Sequence, residues 1–328
     1  MEDRDRSTLR HPTRRELIAL GVGAFVVAAV PFARSRRSKL VRRSVPVMGT
    51  IGEIGVVHRD NQYAHAAIDA AIDELRLVER LMTRFTDTSD IGRANRLASS
   101  DAVTVSPETA AVIEEALLWA ESSDGIFDPC LGNATEMWDV GRRQTPPPSS
   151  DVRRLAGRQL YKSLDLDRTR VRYMDQDVAI DLGGIGKGYG VDRAVQALRD
   201  HGIENGLVNV GGDLYAMGGS EDDDPWKVGI RSPDDPTTLS GKIEVSDAAI
   251  ATSGDYLQYF RHDGNQYHHL LNPATGAPRH TDIHSVTVKA NQCMTADAAA
   301  TTAFGMTRIS ADRLLRGRAS DAEIVTVR

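Results

Sequence analysis

The segment Asp181-Leu182-Gly183-Gly184-Ile185-Gly186-Lys187-Gly188-Tyr189-Gly190-Val191-Asp192-Arg193 narrows the fold more than any other stretch, because it follows a strand pattern and opens a helix through alternate glycines. At such a turn the backbone N–H groups and the helix dipole favour an anion, and missing side chains let a phosphate approach. Lys187 adds a full positive charge. Two known phosphate loops do not fit. In a Walker A frame set by Lys187 the leading glycine is missing, and Gly188 replaces the Ser/Thr that would hold magnesium. Glycines spaced by two do not give the dinucleotide-binding spacing either. Tight packing between elements accounts for the same glycines equally well, so both readings stand on the residues alone.

Around this segment, alternation over 48–57 predicts a strand, and apolar residues at helical spacing from Ala64 to Leu81 predict a helix over 63–82. Ser106-Pro107 marks a second helix start, ending near Gly125. Pro146 to Ser150 reads as a loop. Short strands follow at 171–174, 178–180, 207–210, 226–230, 243–245, 267–271, 285–288 and 323–327, interrupted by helices over 187–201 and 296–306. That interleaving predicts an α+β (mixed α/β) fold with a substantial sheet. At 328 residues and 41% hydrophobic the chain can bury one large core, assigned to 44–328. Cys130 and Cys293 are too few for a disulfide scaffold or a zinc ribbon, and their pairing with each other is left open.

Charge divides the chain. Residues 1–43 carry eleven Lys/Arg against four acids, a net +7 in a chain of net −6, so the rest holds −13. An acidic body without an Arg/Lys stripe excludes nucleic acid as a partner. Arg14-Arg15 precede seventeen uncharged residues, Leu17 to Ala33, the layout of an export signal of the twin-arginine kind. Seventeen residues also reach the lower limit for a membrane-spanning helix, so within the signal-and-linker segment 1–43 both cleavage after Ala29 or Ala33 and membrane association through 17–33 stay open.

Two further clusters carry chemistry. Asp297 and Thr301 sit at i and i+4 on one helix face among alanines, an oxygen set that suits Mg2+ sharing its shell with water and phosphate; a capping aspartate and an inward threonine explain the pair as well. His268-His269 precede a Pro/Gly turn, and on a strand they face opposite ways, so only one serves a given site. Val208 to Asp213 and Ala251 to Asp255 read as small-residue turns at strand ends.

Taken in order, Met48-Gly49-Thr50, Met82 to Phe85 with Ser89, Gly125 to Pro129, Asp181 to Lys187, Asn209 to Asp213, Ala251 to Asp255, His269 to Gly276 and Ala296 to Thr301 resemble the FAD:protein FMN transferase (ApbE) family over about residues 44–310. The resemblance implies a central mixed sheet and an exported or membrane-tethered enzyme, periplasmic or on the outer face of the cytoplasmic membrane. Its implied activity is Mg2+-dependent transfer of FMN from FAD to a Thr or Ser hydroxyl of an acceptor flavoprotein, releasing AMP. By the same resemblance Asp297, Thr301 and the Gly184 carbonyl hold the metal. Met48, Phe85, Ile126, Phe127, Asp128, Asp181, Lys187 and Leu270 line the FAD, and His269 assists the transfer. Asn272, Ala274 and Gly186 depart from the family pattern, which usually has Asp, Arg and Ala there. A Mg2+-dependent FAD pyrophosphatase and a non-catalytic exported FAD-binding protein are the competing readings of the same residues.

Overall fold

A computed structural model describes residues 38–328, except 222, 234 and 236, together with the backbone of Phe25–Val27, a short strand against Trp226–Arg231. The expected export segment therefore lies almost wholly outside the described residues, and no helix among these is long and apolar enough to cross a membrane. The centre is a sheet of seven strands: β1 (Lys39–Val47), β2 (Thr50–His58), β3 (Gly206–Val210), β4 (Asp213–Met217), β5 (Ala248–Gly254), β6 (Ser285–Ala290) and β7 (Glu323–Val327). They lie side by side in chain order, and every ladder is antiparallel. The α+β class holds, and the sheet expected as mixed is antiparallel throughout.

Eight α-helices among the described residues are inserted into this meander. Between β2 and β3 come α1 (Asn61–Met82), α2 (Asp90–Leu97), α3 (Pro107–Ser122), α4 (Gly132–Trp138), α5 (Ser149–Leu155) and α6 (Gly186–Asp200). Between β6 and β7 come α7 (Cys293–Ala303) and α8 (Arg308–Arg318). Asp60 caps α1 by accepting from the N–H groups of Gln62 and Tyr63, at 2.8 and 3.2 Å, and the Ala64 to Val78 stripe is buried. Ser106 caps α3, with Pro107 at its first position as the sequence predicts.

Alternation along the central strands splits the core. Ile54, Val56, Val208, Val210, Ala249, Ala251, Val286 and Val288 pack with α1, α6 and α7 on one face. Leu207, Leu214, Ala216, Ala248 and Ile250 face the other way, under the hairpin Trp226–Arg231/Leu239–Val245. Both faces being covered, β3, β4 and β5 are buried along their whole lengths. The expected strand 178–180 reduces to a single bridge, Leu131 to Ala179, and the strand 267–271 breaks at His269 into Asn265–His268 and Leu271–Asn272.

The helical layer is held together where α6 meets α7. No side chain of its own caps α7; Asp192 of α6 accepts the N–H groups of Cys293 and Met294, at 2.7 and 2.9 Å. Burial pushes that carboxyl up to about 6 against those hydrogen bonds. Beside it, a β-carbon on Gly188 would lie 2.3 Å from the carbonyl oxygen of Cys293 and 2.7 Å from Met294 Cα. Backbone cannot yield as a side chain does. Gly188→Ala is therefore expected to destabilise the protein by about 3 kcal/mol, the upper end of ordinary overpacking. Gly186→Ala, whose added carbon would meet only Leu182 Cβ at 3.7 Å, should be tolerated. Urea unfolding of the two variants checks this, and equal midpoints would mean that the α6/α7 contact is not close-packed.

Candidate active site

The tight α6/α7 contact carries the chemistry with it. Helical spacing stacks Asp297 and Thr301 on one face of α7, and the contact at Gly188 turns that face onto the glycine-rich turn. Asp297 Oδ2 accepts the Gly188 N–H at 3.0 Å. One turn on, a β-carbon at Gly184 would sit 2.9 Å from Thr301 Cγ2 and 3.2 Å from its Oγ1, so only glycine lets that backbone approach. Ser253 at the end of β5 places its Oγ 3.2 Å from Thr301 Oγ1. Among the described residues no group of three His, Cys, Asp or Glu could hold a metal. The local donors are instead one carboxylate, hydroxyls and a glycine backbone, which fits Mg2+, a hard cation that keeps waters and takes few protein ligands.

Lys187 points into the same place. Its Nζ lies 2.5 Å from Asp213 Oδ2 and 3.4 Å from both carboxylate oxygens of Asp297. Asp213 and Asp297 are each 3% exposed. Burial works against the lysine's charge, yet the two carboxylates outweigh it and hold its pKa above the ordinary range. Asp213 is pushed up, by burial first and by Asp297 second. Lys187 is thus neither a solvated surface lysine nor a free phosphate ligand: it is the counter-ion of a buried acidic pair.

His269 stands just past the strand end, partly exposed, with Nδ1 a long 3.4 Å from the Gln258 carbonyl. Burial pushes its pKa down to about 4, helped by His268 and Lys187 and opposed by the Gln258 carbonyl and Asp181. Its imidazole is neutral at ordinary pH, with weak hold on its nitrogens. His268 is buried, donates from Nε2 to Arg279 O over 2.8 Å, and meets the Phe304 ring edge-on. The two neighbours have separate surroundings, although the strand ends at His268 and alternation along it is not the cause.

Other expected residues fall into two groups. Phe127 Cε2 would lie 3.2 Å from a Gly184 β-carbon, Met48 covers Gly190 with Sδ, and Asp181 accepts the Gly183 N–H at 2.9 Å while pairing with Arg84 at 3.3 Å. Leu270 is buried beside the histidines. These adjoin the turn. Phe85, 67% exposed, and Ile126 present apolar surface to solvent, and the Arg84 guanidinium lies 4.4 Å above the Phe85 ring. Asp128 is occupied with its own loop, accepting from the N–H groups of Cys130 and Tyr161, and burial raises it to about 6. Asn272 holds its turn through Oδ1, which accepts the Ala274 N–H at 2.9 Å, and Ala274 is exposed. Cys130 and Cys293 are buried free thiols. The sequence does not single out Asp213 and Ser253, offering them only as parts of small-residue turns; only the fold, by burying Asp213 against Lys187, gives that carboxylate its cation.

The ApbE family profile matches residues 48–326. A Vibrio cholerae protein named FAD:protein FMN transferase is 33% identical over 269 residues, 80% of each chain. A protein of that name from Treponema pallidum is 32% identical over 305 residues, 87% of this chain and 84% of the other. The crystal structure of an ApbE protein from Thermotoga maritima shares the fold with a TM-score of 0.79 at 28% identity, covering 88% of this chain and 96% of its own. For the flavin transferase ApbE of Vibrio cholerae the TM-score is 0.75 at 30% identity, over 85% and 91%. Sequence and fold agree over nearly the whole described length, and the chain belongs to the ApbE family.

Proposed function

We propose that this chain is an FAD:protein FMN transferase that moves FMN from FAD to a Thr or Ser hydroxyl of an acceptor flavoprotein, releasing AMP, in a Mg2+-dependent reaction. The observation that carries the reading is the meeting of Gly184, Lys187, Asp297 and Thr301 at one turn, from segments far apart in sequence, in a chain whose relatives bear that name. Asp297, Thr301 and the Gly184 backbone would hold Mg2+, which supplies charge neutralisation at the phosphoryl oxygens. Lys187, paired with Asp213 and Asp297, fixes the one carboxylate that would face the metal, Asp297, and would keep positive charge beside a bound pyrophosphate. The acceptor hydroxyl oxygen attacks the FMN phosphorus, the phosphoanhydride bond to AMP breaks, and the hydroxyl proton passes to neutral His269. AMP leaves with the bridging oxygen.

Mass spectrometry of an acceptor flavoprotein incubated with the enzyme, FAD and Mg2+ tests the proposal. A mass gain equal to FMN supports transfer; AMP without protein labelling makes the chain a pyrophosphatase, and neither product makes it a binding protein. The catalytic unit begins with β1 at Lys39, inside the segment that the sequence assigns to a basic linker ending at 43, and is placed by a twin-arginine signal in the periplasm or on the outer face of the membrane. Fractionation of a chain with Lys in place of Arg14 and Arg15 checks that address, and unchanged export would remove it.

The histidines separate chemistry from packing. His269→Ala is expected to lower kcat by about 10²-fold or more with little change in unfolding temperature, as loss of a general base does. His268→Ala should instead lower the unfolding temperature, because its ring fills a buried site against Phe304. Paired kinetic and thermal measurements decide this, and a dominant kinetic loss from His268 would reverse the assignment.

A further inference from the structure

Arg279 lies outside every motif of the sequence, three residues beyond the turn that ends at Gly276. Its backbone is tied to the histidine segment: its N–H donates to Leu270 O at 2.9 Å and its carbonyl accepts from His268 Nε2 at 2.8 Å. Its Nε donates to Leu271 O at 3.0 Å. The guanidinium then leaves that segment. Nη1 donates to the carbonyl of Thr301 at 2.9 Å and also reaches those of Thr302 and Phe304, while Nη2 donates to Ile126 O at 2.8 Å. Among the described residues no carboxylate lies within ion-pair distance of it. Burial pushes its pKa down to about 10, which leaves it charged at ordinary pH.

One side chain therefore joins three parts of the site: the turn bearing His269 and Leu270, the loop bearing Ile126 to Asp128, and the C-terminal end of the helix bearing Asp297 and Thr301. Carbonyls at a helix C-terminus lack intrahelical donors, and a cation there is favourable. A planar fork donates from three separated nitrogens and so reaches carbonyls on three segments, whereas a lysine donates from a single point. The bond to the carbonyl of Thr301 itself ties this clamp to a proposed metal oxygen.

We propose that Arg279 is a positioning residue for flavin transfer, holding the His269 turn, the Ile126 loop and the end of α7 in a fixed mutual register. This rests on the functional reading above. Arg318 supplies the control: it pairs with Glu115 and lies 5.1 Å over the Trp119 ring, joining α8 to α3, and among the described residues it makes no hydrogen bond or ion pair to these segments. Full-length Arg279→Met, Arg279→Lys and Arg318→Met proteins would be compared by thermal unfolding, by Mn2+ binding in electron paramagnetic resonance, and by kcat and KM for AMP release from FAD below the lowest unfolding temperature. The expected result is a loss of about 10- to 100-fold in Mn2+ affinity and kcat for Arg279→Met, the range typical of groups that orient metal ligands. KM for FAD should move less, and Arg279→Lys should recover part of kcat. Arg318→Met should lose stability and keep kcat. Wild-type Mn2+ affinity and kcat in Arg279→Met, or an equal loss in Arg318→Met, would overturn the proposal; if Arg279→Met does not fold, Arg279→Lys set against Arg318→Met decides the same question. Should the wild-type protein release no AMP and label no acceptor, the functional reading fails separately, and the Mn2+ affinities alone decide on the clamp.

Discussion

Alanine at position 297 is expected to lower Mg2+-dependent AMP release from FAD by about 10³-fold or more, because a metal is worth several kcal/mol of transition-state charge stabilisation. Asp297 supplies the only formal negative charge among the proposed protein ligands. It is also part of the architecture, since its Oδ2 accepts the buried Gly188 N–H. Removing the side chain strands that donor, at about 1–3 kcal/mol of stability. Asp297→Asn separates the two roles: an amide oxygen can still accept from Gly188 while the charge is gone. Both variants should lose Mn2+ binding, and the Asn variant should keep more of the unfolding temperature. Retained Mg2+-dependent turnover in either would take Asp297 out of the metal site.

Lys187→Met should lose more stability than the other variants. With the ammonium removed, Asp213 and Asp297 remain buried near one another without a cation, and breaking a buried pair from one side costs about 3–5 kcal/mol. Sequence alone makes FAD affinity the natural readout for Lys187, through a contact with the pyrophosphate; its two buried partners shift the expected first readout to unfolding. Thermal unfolding of Lys187→Met and Lys187→Arg at low and high Mg2+ measures it. Arg should preserve more stability than Met, and added Mg2+ should recover a larger share in the Met variant, since a divalent cation beside Asp297 replaces the missing charge. An unchanged unfolding midpoint in Lys187→Met would show that the acidic pair is neutral without its lysine.

The elements easiest to see in the sequence are those with one wet face. The stripe from Ala64 to Val78 and the Ser106-Pro107 cap stand in the structure within a residue or two of their expected positions. Strands β4 and β5 are invisible for the opposite reason. Asp213 to Met217 and Ala248 to Gly254 are buried on both faces, so they show no alternation, and their small residues imitate turns. At the site, helical spacing alone puts Asp297 beside Thr301. Nothing in the sequence shows that Asp192 caps α7, that Asp213 reaches Lys187, or that Arg279 spans three segments, because each joins elements through space with no local pattern. The two explanations of the glycine-rich turn are compatible: Gly188 is there for packing, and that packing brings the oxygen donors together.

The long insertion between β2 and β3 has a consequence for how the protein is assembled. These strands are hydrogen-bonded neighbours, yet almost the whole helical layer, from Asn61 to Asp200, is threaded between them, whereas β3 and β4 are joined by Gly211-Gly212 alone. Closure entropy grows only with the logarithm of loop length, about 0.6 kcal/mol per doubling, so the arrangement adds little at equilibrium. Kinetically it is not neutral, because distant pairings form after local ones. The β1/β2 hairpin can zip by itself, but it joins the rest of the sheet only once the intervening helices have brought Gly206 to Val210 within reach. A newly made chain thus exposes the open edge of β2 until its helical layer is in place, and that interval is when it is most vulnerable to pairing with the wrong strand.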